Sequence, residues 1–363
     1  MPSEQERAQD ITRFLASSDW ASADIAWLAQ DASTRRYARL VRPAGGSAIL
    51  MDAPGVEDQP CAPGMTPAER LAAGWNATTR LASSRVDAFV LIAEHLKRCG
   101  LKPPEIYAYN ADLGLALLQD FGTQREFARL IEAGAAPETE LYVRAAEQLA
   151  HLHDCPIPST LERDGLAWPI LEFDGVALRA NADLFLEWLP QHDPRMHLRE
   201  GDAARWDEAV SELIDRAEAF PRRFTLRDYH AENLVLLDTG EIGLLDFQDA
   251  VLGWDAWDMA MLVQDARRAV SPAASDAAIR AFLDRSGSDE TGFRQRLAVI
   301  GTLNALRITG LFARLQSRDG KTRYAQFMPR QQALLAENLR HPSTANMSRF
   351  VQDVAPFVFQ EAK

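Results

Sequence analysis

The stretch Phe224–Ala260, FTLRDYHAENLVLLDTGEIGLLDFQDAVLGWDAWDMA, decides the fold. Asp228 is followed five positions later by Asn233, and Asp246 lies beyond two short apolar runs. Leu234–Leu237 and Ile242–Leu245 read as strands, with Asp238, Thr239 and Gly240 as the turn between them. Such a hairpin brings Asn233, at the start of one strand, beside Asp246, at the end of the other. Asp228 sits on the loop that leads in.

These residue types suit phosphoryl transfer. The chemistry needs an acceptor hydroxyl held in line and metal ions that neutralise the triphosphate. Asp246 and Asn233 offer hard oxygen ligands fit for Mg²⁺. Asp228 is then left to orient or deprotonate the acceptor hydroxyl. A protein-kinase catalytic loop reads H-R-D-L-x-x-x-N, with D-F-G further on. Here Leu226-Arg227-Asp228-Tyr229-His230-Ala231-Glu232-Asn233 precedes Asp246-Phe247-Gln248. Leu226 and Gln248 depart from the protein-kinase pattern.

Composition narrows the partners. The chain has 363 residues, 47% apolar and 25% charged, enough for two lobes and a large core. A formal charge of −13 argues against nucleic-acid and anionic-membrane partners, which want a basic face. The N-terminal MPSEQERAQD has no basic segment followed by an apolar run, and no stretch approaches the ~20 apolar residues of a membrane span. Cys61, Cys99 and Cys155 share no metal-ligand spacing and read as reduced thiols. A cytoplasmic enzyme with a small-molecule acceptor is expected; the oligomeric state is not set by the sequence.

Before the deciding stretch, Ser3–Ser17 reads as an amphipathic helix, and Ile25–Leu28, Tyr37–Val41 and Ala48–Met51 as strands. The loop between the first two strands is expected to face the nucleotide phosphates through Ser33, Thr34, Arg35 or Arg36. The third strand has no Lys to pair with the phosphates, Met51 standing in the matching text. Arg35, Arg36 or Arg39 takes that role, or metal and backbone suffice. Ala53–Gly74 reads as a loop with a short helix at Pro67–Ala73, and Val86–Cys99 as a helix stopped by Gly100. Strands at Glu105–Tyr109 and Leu113–Leu118 lead to Gln119, Asp120, Phe121 and Gly122, the expected hinge that meets the adenine.

Helices are expected at Leu141–His153, from Asp183 to Leu189, at Trp206–Ala219 and over Trp254–Arg268. Others are expected at Asp276–Asp284, Glu290–Arg314 and Pro329–Asn338. Asp258, near the start of its helix, suits a structural brace that accepts backbone N–H bonds from the loop around Asp228. Arg227, His230, Gln264, Asp265 and Arg267 are candidates for the acceptor pocket.

Asp246-Phe247, then Gly253 and Asp258-Met259-Ala260, resemble the aminoglycoside phosphotransferase family, small-molecule kinases of protein-kinase-like fold. Further stretches are similar to one branch, the anomeric kinases of N-acetylmuramate and N-acetylglucosamine: Ser33–Tyr37, Leu50–Pro54, Leu118–Gly122, Leu226–Asn233, Gly243–Ala250, Val263–Arg268, Gly310–Leu315 and Arg318–Lys321. The branch also lacks the strand-three Lys, while Cys61–Arg85 is longer than its pattern. The resemblance implies an α+β, two-lobed fold: a β-rich lobe over residues 1–118, a hinge at 119–122 and a mainly helical lobe over 123–363. It also implies ATP- and Mg²⁺-dependent phosphorylation of the C1 hydroxyl of an amino sugar in cell-wall sugar recycling. An aminoglycoside, choline or another sugar is the alternative acceptor, and a nucleotide-binding regulator with little turnover the alternative class. A lactyl carboxylate on the acceptor would want an Arg nearby, with Arg227, Arg267 and Arg307 as candidates.

Overall fold

A computed structural model describes residues 3–29, 35–55, 62 and 64–360. Ser33, Thr34 and Cys61 lie outside the described residues. The architecture is α+β, and its packing divides into two compact units. The first holds residues 1–135, 158–171 and 231–250; the second holds 136–157, 172–230 and 251–363.

The first unit begins with α1 (Glu4–Ala16), capped by Ser3, whose hydroxyl accepts from Glu6 N while Glu6 bonds back. Then come β1 (Asp24–Trp27), β2 (Arg36–Val41) and β3 (Ser47–Asp52). After α2 (Pro67–Ala73), α3 (Trp75–Thr79) and α4 (Val86–Arg98), β4 (Ile106–Asn110) and β5 (Leu115–Gln119) complete the sheet. It is antiparallel throughout, in the order β1-β2-β3-β5-β4. Ile11, Leu15 and Trp20 pack with Ala38, Leu40, Leu50, Leu115 and Leu117 into one apolar cluster. Asp52 is fully buried at the end of β3. Its Oδ1 accepts from Arg7 Nε and Nη2 of α1 (2.8 and 2.6 Å), and Oδ2 accepts from Arg36 Nε (3.0 Å). A carboxylate out of water demands such compensation.

The same unit contains α5 (Phe127–Glu132), the hairpin β6 (Thr160–Arg163) and β7 (Leu166–Pro169), and the expected hairpin β9 (Leu234–Leu236) with β10 (Ile242–Leu244). Residues 123–135 and 231–250 share the compact packing of this unit. The reason is backbone hydrogen bonding. Leu236 N donates to Arg125 O (2.9 Å), Leu244 N to Lys102 O (2.9 Å) and Ala128 N to Ala231 O (3.0 Å).

The second unit comprises α6 (Glu138–His153), α7 (Gly175–His192), α8 (Asp202–Glu218), β8 (Arg222–Thr225), β11 (Val251–Trp254) and α9 (Trp257–Val263). It continues through α10 (Pro272–Ser286), α11 (Glu290–Ser317), α12 (Met328–Asn338) and α13 (Ala345–Val354). Two expectations are corrected. The helix containing Asp183 begins at Gly175, because Asp174 caps it by accepting from Ala177 N (3.0 Å). The helix expected over Trp254–Arg268 is shorter. Val251–Trp254 instead pairs antiparallel with Arg222–Thr225, and the helix ends at Val263. Helix α11 is long and apolar enough to cross a bilayer, contrary to the sequence expectation. Burial of 83% of its apolar window within the protein makes it a core helix.

Gly310 allows α11 to lie directly on α7. A Cβ there would stand 2.2 Å from the backbone carbon of Leu184 and 2.4 Å from Phe185 N. Backbone cannot rotate away as a side-chain tip can. Gly310→Ala is expected to destabilise the protein by about 3 kcal/mol. The check is urea unfolding, with a lower midpoint at an unchanged m-value.

Candidate active site

The loop after β8 is held in an unusual conformation. Arg227 has φ 76°, a left-handed geometry that a side chain adopts at a cost of roughly 1–2 kcal/mol. Both of its backbone groups are clamped. Fully buried Asp258 accepts from Leu226 N through Oδ2 (2.6 Å) and from Arg227 N through Oδ1 (2.8 Å). Trp257 Nε1 donates to Arg227 O (3.2 Å). Next along the loop, the Tyr229 hydroxyl donates to Ala145 O at 2.9 Å. Asp228 lies between these two anchors, half-buried.

Burial pushes the Asp258 carboxyl up to about 7. The two N–H bonds pull it down, and the nearby Asp228 charge adds to the rise. His230 is buried, and burial, with Arg267 and Arg307 nearby, holds its pKa well below the usual imidazole range. It is therefore neutral at pH 7, with Nε2 3.4 Å from Arg267 Nη1.

In the first unit, the sheet and the β9–β10 hairpin enclose a cavity of about 390 Å³, the size of a small-molecule site. Asn233 and Asp246 are on its wall, together with Arg35, Arg36, Gln119, Asp120 and Phe121. Asp246 also takes a left-handed backbone, φ 55°. Its Oδ1 accepts from Arg35 Nη2 (3.2 Å) and Gln248 Nε2 (3.0 Å), and the side chain stays 41% exposed. Strain at a cavity wall is typical of functional positions.

The three candidate arginines have separate destinations. Arg36 goes to Asp52, and Arg39 forks onto Asp120 (2.6 and 3.1 Å). Arg35 reaches Asp246 and lies 3.9 Å from Asp249. Met51 is buried. Burial pushes the Asp120 carboxyl up, but Arg39 and the Gly122 N–H more than offset this and leave it below its ordinary value. Phe121 rests on the hairpin where Gly243 leaves room; a Cβ there would meet its ring at 2.7 Å.

The acceptor-pocket candidates of the second unit divide. Gln264 spends both amide atoms on Asn338 (2.9 Å each), and Asp265 accepts from Arg267 N (2.8 Å). Arg227 lies over the Phe173 ring (4.5 Å), and Arg267 is exposed. Sequence reasoning missed Tyr37, Ile49, Phe89, Glu126 and Phe247 on the cavity wall. It also missed Asp249, which accepts from Ala82 N (2.6 Å). Asp249 lies inside the deciding stretch, three residues after Asp246, and that proximity was the available signal. The others are ordinary apolar or loop residues.

A family model described as the phosphotransferase enzyme family matches residues 24–295. The chain belongs to this phosphotransferase family. A relative from Caulobacter vibrioides, named N-acetylmuramate/N-acetylglucosamine kinase, is 40% identical over 98% of both chains. A protein of the same name from Pseudomonas putida is 27% identical over 96% of this chain and 94% of its own. Among solved structures, a choline/ethanolamine kinase family protein from Mesorhizobium loti superposes with a TM-score of 0.58. It covers 96% of this chain and 99% of its own at 15% identity. Plasmodium vivax ethanolamine kinase gives 0.55 at 10% identity, covering 91% of this chain and 89% of its own. The phosphotransferase thus has a protein-kinase-like fold and is a kinase.

The brace in this phosphotransferase has a pH signature. Asp258 is protonated up to about pH 7 in the folded state but only to about 3.8 when unfolded. Between these values the native state binds the extra proton, so the contribution to stability falls as pH rises, by at most about 1.4 kcal/mol per pH unit. Asp258→Asn carries no such proton. The stability advantage of wild type over Asp258→Asn is expected to be largest near pH 4 and to shrink towards pH 7, as measured by urea titration. An advantage independent of pH would contradict the assignment.

Proposed function

We propose that this kinase transfers the γ-phosphoryl group of ATP to the C1 hydroxyl of N-acetylmuramate or N-acetylglucosamine, in cell-wall sugar recycling. The observation that carries the reading is the 40% identity over 98% of both chains with a kinase named for these two sugars. Support comes from the cavity, whose wall holds Asn233 and Asp246 together.

In this reading, nucleotide occupies the cavity, with its adenine against the Gln119–Phe121 backbone. Asp246 and Asn233 hold Mg²⁺: a partly exposed carboxylate and an amide oxygen form a hard donor set. When bound, the metal neutralises charge on the phosphate oxygens. Arg35 supplies the cation that the third strand lacks, since Arg36 and Arg39 are committed to Asp52 and Asp120. Ser33 and Thr34 are further phosphate-contact candidates on the same loop. Asp228 orients the C1 hydroxyl and takes its proton as the oxygen bonds to phosphorus and ADP leaves. An anomeric hydroxyl is more acidic than an ordinary alcohol, so late proton transfer suffices.

The test is transfer from ATP with Mg²⁺ to N-acetylmuramate, N-acetylglucosamine, glucose, kanamycin and choline, with NMR locating the phosphate. C1 phosphorylation of the N-acetyl sugars is expected. Asp228→Asn is expected to lose on the order of 10³-fold in kcat, and Asp246→Asn to weaken the dependence on Mg²⁺ concentration. Transfer to kanamycin or choline alone would overturn the choice of acceptor.

A further inference from the structure

Gln248 stands where the protein-kinase D-F-G pattern has its Gly, and the structure gives that side chain a task. Gln248 is buried, 1% exposed, and does not itself line the cavity whose wall holds Asp246. Its amide nitrogen carries two hydrogens and meets two carboxylates. Nε2 donates to Asp246 Oδ1 (3.0 Å) and to Asp249 Oδ2 (3.2 Å). Asp249 is anchored in turn, its Oδ1 accepting from Ala82 N (2.6 Å). A chain of hydrogen bonds thus runs from the Ala82 backbone through Asp249 and Gln248 to Asp246. Gln248 Oε1 is buried and has no hydrogen-bond partner among the described residues. A buried amide oxygen left unanswered is costly. An apolar side chain of the same size would avoid that cost, so what Gln248 adds is its pair of N–H donors. Exchanging the two amide atoms would set an oxygen against both carboxylates, so the network fixes which way the amide faces.

We infer that Gln248 is a positioning residue for the metal site: it holds one oxygen of Asp246 so that the other is presented to Mg²⁺. The inference rests on the proposed function, in which Asp246 binds the metal, and deepens it. The two oxygens of Asp246 differ in their surroundings. Oδ1 accepts from Gln248 and from Arg35 Nη2 (3.2 Å), whereas Oδ2 accepts no hydrogen bond among the described residues. The side chain stays partly exposed on the cavity wall, where a cation can meet the open oxygen. When Arg35 turns to the triphosphate, as proposed above, Gln248 is the remaining described donor on Oδ1. A metal-binding carboxylate held by such a hydrogen bond keeps one orientation, and losing the bond typically costs about 10–100-fold in metal affinity. Gln248 also bridges two acids three positions apart with one neutral group, which glycine could not do. The competing role for a buried side chain is packing alone, and the experiment separates the two.

The test is calorimetric titration of a non-hydrolysable ATP analogue into wild type, Gln248→Met and Gln248→Asn, once with Mg²⁺ and once with EDTA. Methionine fills the same space without a donor, and asparagine keeps the amide but falls one methylene short of Asp246. The gain in nucleotide affinity that Mg²⁺ confers is expected to fall roughly 10-fold in Gln248→Met and about 5-fold in Gln248→Asn. Affinity in EDTA should stay within about 2-fold of wild type, since the metal is absent from both sides of that comparison. In turnover, the Mg²⁺ concentration for half-maximal rate should rise roughly 10-fold, while kcat at saturating Mg²⁺ falls by less than about 3-fold. A Mg²⁺ gain moving less than about 2-fold in both variants would overturn the inference. So would an equal loss of affinity with and without metal, the result expected if Gln248 only packs. Near-UV circular dichroism checks folding, and if Gln248→Met is unfolded Gln248→Asn decides. Wild type that binds the analogue no better with Mg²⁺ removes the metal assignment of Asp246 before any variant is compared, which keeps the two failures apart.

Discussion

One buried carboxylate sets the shape of the loop on which the chemistry is proposed to turn. Asp258 takes the N–H groups of Leu226 and Arg227 on its two oxygens, and the left-handed turn at Arg227 exists because of that grip. Trp257, its neighbour on the same helix, holds the carbonyl of the same residue. The pairing of β8 with β11 supplies the framework, because it fixes where α9 starts relative to the loop. A strained backbone persists only when its surroundings over-determine it, and here two successive residues of one helix do so. The rise of the Asp258 pKa reflects how dry this junction is.

Charge pairing organises the first unit in a similar way. Three arginines within five residues, Arg35, Arg36 and Arg39, go to three different carboxylates, Asp246, Asp52 and Asp120. Two of the pairs secure the sheet and the segment after β5. The third sits at the cavity wall beside the residue proposed to hold metal. The acidic overall composition therefore says little about the local field, since Arg227 and Arg267 both act on Arg307 alongside Asp228.

The parts legible in the sequence were those written in local chemistry. The β9–β10 hairpin follows from two apolar runs around Asp-Thr-Gly, and α4 from its apolar face and the Gly100 stop. Pro67–Ala73 is a helix as read, helped by the Thr66–Glu69 capping box. The failures have local causes too. Val251–Trp254 is an apolar run that adjoins a helix, and only its pairing with Arg222–Thr225 makes it a strand. Gln264 looked available on a polar helix end, yet its amide is spent on Asn338, 74 positions away. The Arg7–Asp52 pair spans 45 positions and leaves no local mark at all. Asn233 and Asp246 share one cavity wall because the hairpin brings strand ends together, a consequence of pairing that spacing alone does convey.

The Arg7–Asp52 contact bears on where this chain can be cut. The family match runs over residues 24–295, and a fragment trimmed to those limits would look like a complete catalytic domain. It would lose α1 and with it one of the two guanidiniums neutralising a fully buried aspartate, leaving Arg36 to balance Asp52 alone. It would also end inside α11, before Gly301, Arg307 and Gly310. The minimal folding unit is thus larger than the segment that the family model matches, because electrostatic debt incurred inside that segment is settled by residues outside it.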